Sequence, residues 1–171
     1  MPSASAKPRI IYQNLLCFLL ACNNNKSPYY DEVLKSEEGH LRGALIGGAI
    51  EQIKTLEDQN FLIDEMQDYL HYDYELSMGN TYTVTYDFSR KNELYEIEMA
   101  IFLDAIGEAD PLFENFSDYF NRKYGVGKKE ADGYMTWNTT SSDSNSIIAI
   151  SMINDSQSYG FITIFVRDLS Y

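Results

Sequence analysis

Thr81-Tyr82-Thr83-Val84-Thr85-Tyr86-Asp87-Phe88 is the stretch on which the fold turns: each even position carries a large apolar side chain and each odd one a Thr or Asp. Alternation with a period of two marks an extended strand, whose successive side chains point to opposite faces of a sheet. The same rhythm runs on either side. Upstream, Leu70, Tyr72, Tyr74 and Leu76 alternate with His71, Asp73 and Glu75. Downstream, Tyr95, Ile97, Met99, Ile101 and Leu103 alternate with Leu94, Glu96, Glu98, Ala100 and Phe102. Met78-Gly79-Asn80 and residues 89–92 are short turn-forming links, so three antiparallel strands in meander order are expected, with the Tyr, Ile and Met side chains inward.

Beyond the meander the period changes to that of a helix. Leu112, Phe113, Phe116, Phe120 and Tyr124 form an apolar stripe. Asp110 stands where an N-cap is expected, Pro111 at the first helical position and Gly125 just past the end, with Arg122 and Lys123 complementing the dipole. Three further strands are expected at 134–140, 146–153 and 159–167, separated by polar loops at 141–145 and 154–158. On the N-terminal side, the glycines of Gly43-Ala44-Leu45-Ile46-Gly47-Gly48 make a short strand or turn. A helix then follows near 49–58, burying Ile50, Ile53 and the apolar side of Leu56-Glu57. The expected fold class is α+β: two tandem α-β-β-β units, over about 40–104 and 105–171, forming an antiparallel sheet with helices packed on one face.

The first 22 residues read differently. Lys7 and Arg9 precede the apolar run Ile10-Ile11-Tyr12, then Leu15-Leu16-Cys17-Phe18-Leu19-Leu20, the charged-then-apolar order of an export signal. The run ends Leu19-Leu20-Ala21-Cys22, which resembles the lipobox of bacterial lipoproteins. That resemblance implies a diacylglyceryl group on Cys22, cleavage before it, and a lipid-anchored address in the bacterial cell envelope. Asn23-Asn24-Asn25-Lys26-Ser27-Pro28 opens a polar tether taken to span 23–38, leaving 39–171 as the α+β domain. The competing reading is a cytosolic, acidic immunity-type protein whose residues 10–20 are a core element.

The order of elements also resembles the β-lactamase inhibitory protein, which carries two tandem helix-plus-sheet units, and the small lipoprotein of the outer-membrane barrel-assembly machinery, which carries one. Gly43-Ala44-Leu45-Ile46-Gly47, Ile50-Glu51-Gln52-Ile53-Lys54 and Leu56-Glu57 carry the local likeness, a Gly-centred turn opening a helix. The inhibitor's repeats contain disulfides, whereas here both cysteines, Cys17 and Cys22, lie in the N-terminal segment. The assembly lipoprotein is usually basic, whereas this chain carries a net charge of −13. The resemblance therefore implies a fold and a binding sheet, and no particular partner.

Without residues 1–22 the balance is 11 basic to 26 acidic residues, or −15. A field of that sign argues against nucleic acid and against docking on anionic lipid headgroups by charge, and favours a basic partner or cations. His71, Asp73, Glu75, Asp87, Glu96 and Glu98 fall on the sheet face opposite the core, with Thr83 and Thr85, where cross-strand carboxylates repel unless solvated or matched. In the second meander, Ile148, Ile150, Met152, Ile162, Ile164 and Val166 are expected inward, leaving Phe161, Thr163, Phe165 and Arg167 opposite. Two aromatics beside an Arg have the composition of an interaction surface, or of core beneath another element, and Trp137 carries the same ambiguity. The candidate binding face is thus His71, Asp73, Glu75, Asp87, Glu96, Glu98, Phe161 and Arg167.

No catalytic residues, metal ligands or cofactor are assigned. His40 and His71 have no metal-ligand spacing, and the glycines at 43–48 lack the Lys-Ser/Thr of a phosphate loop. The expected function is a lipid-anchored, non-enzymatic protein-binding module of inhibitory, immunity-like or assembly type. Its rivals are a small carboxylate-dependent hydrolase and the cytosolic immunity-type protein.

Overall fold

The computed structural model describes residues 26–141 and 146–171; the expected signal, lipobox and Cys22 lie outside them. Two short helices come first, α1 (Tyr30–Leu34) and α2 (Ile50–Leu56), then four strands, β1 (Leu62–Met66), β2 (Tyr69–Glu75), β3 (Thr81–Phe88) and β4 (Leu94–Leu103). The long helix α3 (Ala109–Tyr124) follows, then β5 (Lys128–Lys129), β6 (Met135–Thr140), β7 (Ile147–Asn154) and β8 (Gly160–Asp168). All eight strands form one antiparallel sheet in the order β1-β2-β3-β4-β8-β7-β6-β5. The two meanders join where β4 pairs with β8, so the last strand in sequence stands mid-sheet. The fold is α+β, with more sheet than helix.

One face of this sheet holds the core. Val84, Tyr86, Ile97, Met99, Ile101, Ile150, Ile162, Ile164 and Val166 are fully buried on it, as the period-two reading requires. The helix α3 covers the β6–β8 half, burying Leu112, Phe116 and Phe120, with Phe120 against Trp137 at 5.1 Å between ring centroids. Trp137 is core, and its indole N–H donates to Asn121 Oδ1 at 3.0 Å. Gly127 passes so close that a Cβ there would lie 2.5 Å from this ring. The β2–β4 half is covered by residues 29–57.

Several expectations need correcting. The tether does not extend to residue 38: Tyr29, Tyr30, Val33 and Leu34 are buried, and Tyr30 packs edge-on against Phe116. The i, i+3, i+4 spacing of Tyr30, Val33 and Leu34 is enough to make one helical turn with an apolar side. The helix α3 starts at Ala109 with Glu108 at its N-cap, and Asp110 instead accepts from Asn154 Nδ2 at 2.8 Å. Each meander has one strand more than expected: β1, whose Leu-Ile-Asp-Glu-Met order does not alternate, and β5, only two lysines long. Finally, β4 begins with a bulge: Leu94 pairs with Phe88 and Glu96 with Asp87, so residue 95 is extra. Leu94 therefore takes the buried place expected for Tyr95, whose ring stacks on Tyr171.

The Gly-rich segment docks on this bulged start of β4. Gly47 N–H donates to Leu94 O at 2.7 Å and Leu94 N–H to Gly48 O at 2.8 Å. Gln52 then caps α2 by accepting from Ala49 N–H through Oε1 at 3.1 Å.

Candidate functional site

The face opposite the core carries side chains that are half-buried or exposed, Thr163 apart. Strand register sorts them into rows. One row runs Tyr69, Asp87, Glu96, Arg167, Ala149, Asn138 from β2 to β6. The next runs His71, Thr85, Glu98, Phe165, Ser151, Thr136. A third holds Asp73, Thr83, Ala100, Thr163 and Ile153, and a fourth Glu75, Thr81, Phe102 and Phe161. The whole candidate face named from sequence therefore lies on one surface, and the expected lipidation site, Cys22, lies outside the described residues.

Within it the residues are not equivalent. Arg167 binds Glu96 with two prongs, Nε to Oε2 at 2.5 Å and Nη2 to Oε1 at 3.1 Å, while its guanidinium lies 4.2 Å from the centroid of the Phe165 ring. That geometry commits the Arg167 side chain. Asp87 and Glu98 form no ion pair with any described residue. Burial, then the like charges of Glu96, Glu98 and Asp68, push the Asp87 carboxyl up to about 6, against the opposing charge of Arg167. His71 shares a 2.9 Å hydrogen bond with Thr85 Oγ1 and stacks beside Tyr69. Asp73 and Glu75 are exposed at the β2 side.

At the opposite end of β4 and β8 the face is aromatic. Phe102 and Phe161 stack at 5.0 Å, and Tyr159 joins them at 6.4 and 6.3 Å. Phe161 and Phe165 both stay half-buried on this surface rather than beneath another element. The Phe102–Phe161 pair was not legible from either meander alone, because it exists only through the β4–β8 pairing.

A second polar centre, on the core side, was missed altogether. Arg42 and Glu57 are both out of solvent, and Glu57 also accepts from Tyr74 OH at 2.7 Å, from Lys35 Nζ at 2.7 Å and from Tyr86 OH. Arg42 lies 5.1 Å from the ring centroids of both Tyr74 and Tyr82 and donates to Val33 O at 2.5 Å. Burial opposes ionisation of Glu57, but the hydrogen bonds and charge of Arg42, with Lys35 and Tyr86, overcome it and hold the carboxyl at about 2. Every polar atom of this centre has a protein partner, which makes it a fastening for residues 33–57 on the sheet rather than a binding site. The only signal in the sequence was a lone Arg within a Gly-rich apolar stretch.

Two hollows border the sheet ends. One of about 760 Å³ lies between α2 and the turns at 66–68 and 89–92, where Lys54 bonds Glu65 and flanks Glu51. The other, about 590 Å³, adjoins Gly47-Gly48, Lys91 and Tyr171. Among the described residues no group of His, Cys, Asp and Glu is arranged to hold a metal ion.

No protein-family model, curated protein or solved structure matches the chain. Among the described residues, no helix is long and apolar enough to cross a membrane.

Proposed function

We propose that this protein is a lipid-anchored module of the bacterial cell envelope that binds another protein through the open face of its sheet, without catalysis of its own. One observation carries the binding half. Among the described residues the helices lie on one face of an eight-stranded sheet, and the other face displays carboxylates, an Arg and stacked aromatics in ordered rows. Leu19-Leu20-Ala21-Cys22 supports the anchor, and α1 begins at Tyr30, close behind it in sequence. The sheet order, two helix-plus-meander halves meeting at β4 and β8, supports descent from a tandem pair of units. The hydrolase reading gains little, since Asp87, Glu96 and Glu98 lie in two adjacent rows of an open surface.

Two measurements test this. Intact mass of the membrane fraction is expected to show loss of residues 1–21 with added acyl mass, abolished by Cys22→Ala. An unprocessed chain in the soluble fraction would remove the anchor. Photo-crosslinkers placed in cells at Thr83 and Ser151, on the open face, are expected to trap a protein that one at Asp118 on α3 does not. Equal trapping from both surfaces, or none from the face, would remove the binding surface.

A further inference from the structure

Taking the open face to be a protein-binding surface, its chemistry restricts what lies there. From β2 to β8 it presents Asp73, Glu75, Asp87, Glu96 and Glu98 against one arginine, and that arginine is already committed to Glu96 and Phe165. Asp87 and Glu98 are neighbours on adjacent strands, one row apart, with no cation between them. The charge of Glu98 is among those that disfavour ionisation of Asp87, so an arriving cation relieves a repulsion already present in the free protein. A nucleic acid would be repelled, and a second copy of the cleaved chain would bring the same charge of −15, 11 basic to 26 acidic residues, to the contact.

The rest of the face states where an apolar contact belongs. Along β4, Glu98 and Phe102 are four residues apart, which at strand spacing is about 13 Å. Between them the floor is made of Ala100 and Thr163, small side chains over which another backbone can pass closely. At the far end Phe102, Phe161 and Tyr159 form a stacked cluster on the surface. An extended chain crosses 13 Å in about four residues.

We infer that the occupant of this face is a cationic polypeptide segment running along the β4–β8 seam, with basic side chains over Asp87 and Glu98 and an aromatic or aliphatic anchor against Phe102, Phe161 and Tyr159. Charge gives the encounter and the orientation; the anchor gives retention. The anchor and the first basic residue are separated by a short neutral spacer.

The test uses the synthetic peptide Phe-Leu-Ser-Gly-Ser-Lys-Arg-Lys, fluorescently labelled, titrated with the lipid-free domain of residues 23–171 and with the full-length lipidated protein in detergent. Comparison peptides replace Phe-Leu by Ser-Ser, or the three basic residues by Glu. Saturable binding below about 1 mM is expected, weakened about tenfold or more in the Asp87→Asn/Glu98→Gln variant and in Phe102→Thr/Phe161→Thr. Both variants are checked by thermal melting; the first removes repelling charges and is not expected to unfold the protein. The Ser-Ser and Glu peptides are expected to bind at least about tenfold more weakly than the parent. Equal binding of the Ser-Ser peptide would reduce the contact to diffuse charge and overturn the anchor. Equal binding of the Glu peptide, no binding at all, or self-association that masks the face would overturn the proposal. If in-cell crosslinks from Thr83 and Ser151 persist while the peptides fail, the face binds protein of other chemistry; if both fail, the binding surface itself is wrong.

Discussion

Arg42 and Glu57 meet head to head beneath the sheet, Nε to Oε1 and Nη2 to Oε2, each at 3.0 Å, with neither side chain more than 1% exposed. Arg42 holds a positive φ of 54°, and its loop is drawn down so that the guanidinium sits against two tyrosine rings. Removing one member strands the other charge out of water. Glu57→Gln is expected to cost about 3–5 kcal/mol at pH 7, read as a fall in the urea midpoint. Arg42→Lys should fall in the same direction, because an ammonium cannot make the two-pronged contact or lie flat on Tyr74 and Tyr82. A loss under about 1 kcal/mol would mean that the loop is fastened elsewhere.

Glu57 also sets an acid limit. Its folded pKa of about 2 lies below the ordinary carboxylate value of 4.5. The stability it contributes is complete above 4.5 and is lost as the pH falls through about 2. Glu57→Gln is therefore expected to flatten the stability profile across that window, measured by urea titration at a series of acid pH values.

His40 works nearer neutrality. Its Nδ1 accepts from Ile46 N–H at 3.0 Å, and burial, then the nearby Lys123 charge, lowers its pKa from 6.5. A lowered imidazole pKa means the neutral ring is the folded form. Its contribution is present above 6.5 and is lost as the pH falls through the lower folded value. His40→Ala is expected to cost about 1 kcal/mol at pH 7.5 and less at pH 5, followed by thermal melting.

Asp87 has the opposite sign. Because its folded pKa rises from 3.8 to about 6, the folded protein is penalised by its charge above 6 and not below 3.8. Asp87→Asn is expected to raise the melting temperature by a few degrees at pH 8 and to leave it unchanged at pH 3.5, the gain being limited by solvent screening of a half-exposed group. Equal effects at both values would show that the side chain matters for packing rather than charge.

Gly127 offers a steric test. Its missing Cβ leaves room for the Trp137 indole, and the nearest atoms to an added methyl would be 2.5 and 2.6 Å away. Gly127→Ala is expected to cost about 1–3 kcal/mol. Trp137→Phe gives up the hydrogen bond to Asn121, for about 1 kcal/mol, and should relieve part of the glycine defect in the double variant, measured by a double-mutant cycle.

The sequence announced strands where one face is wet and the other dry, because burial then writes itself as alternation. Thr81–Phe88 and Ile147–Asn154 follow that rule almost residue for residue. It concealed β1, whose five residues are partly or wholly exposed and so carry no alternation. It also concealed the bulge at Tyr95, since one inserted residue leaves the pattern intact on either side while shifting its phase. The acidic half of the candidate face could be read within one meander, and Phe161 within the other. The stacking of Phe102 on Phe161 could not, because pairing between strands distant in sequence leaves no local trace. The Arg42–Glu57 centre was hidden for a related reason: the tyrosines that complete it also look like ordinary core.

The central position of β8 has a consequence for how the chain reaches this state. During synthesis β4 is finished while its eventual neighbour is still unmade, and Arg167 lies 71 residues beyond the Glu96 that it will meet. Until then β4 and β7 each present a row of unpaired amides and carbonyls, flanked by Ile and Met side chains. Closing the seam is a late, long-range event and so a slow one. A nascent or truncated chain ending before Gly160 is two half-sheets with adhesive margins, and its most available partner is another copy in the same condition.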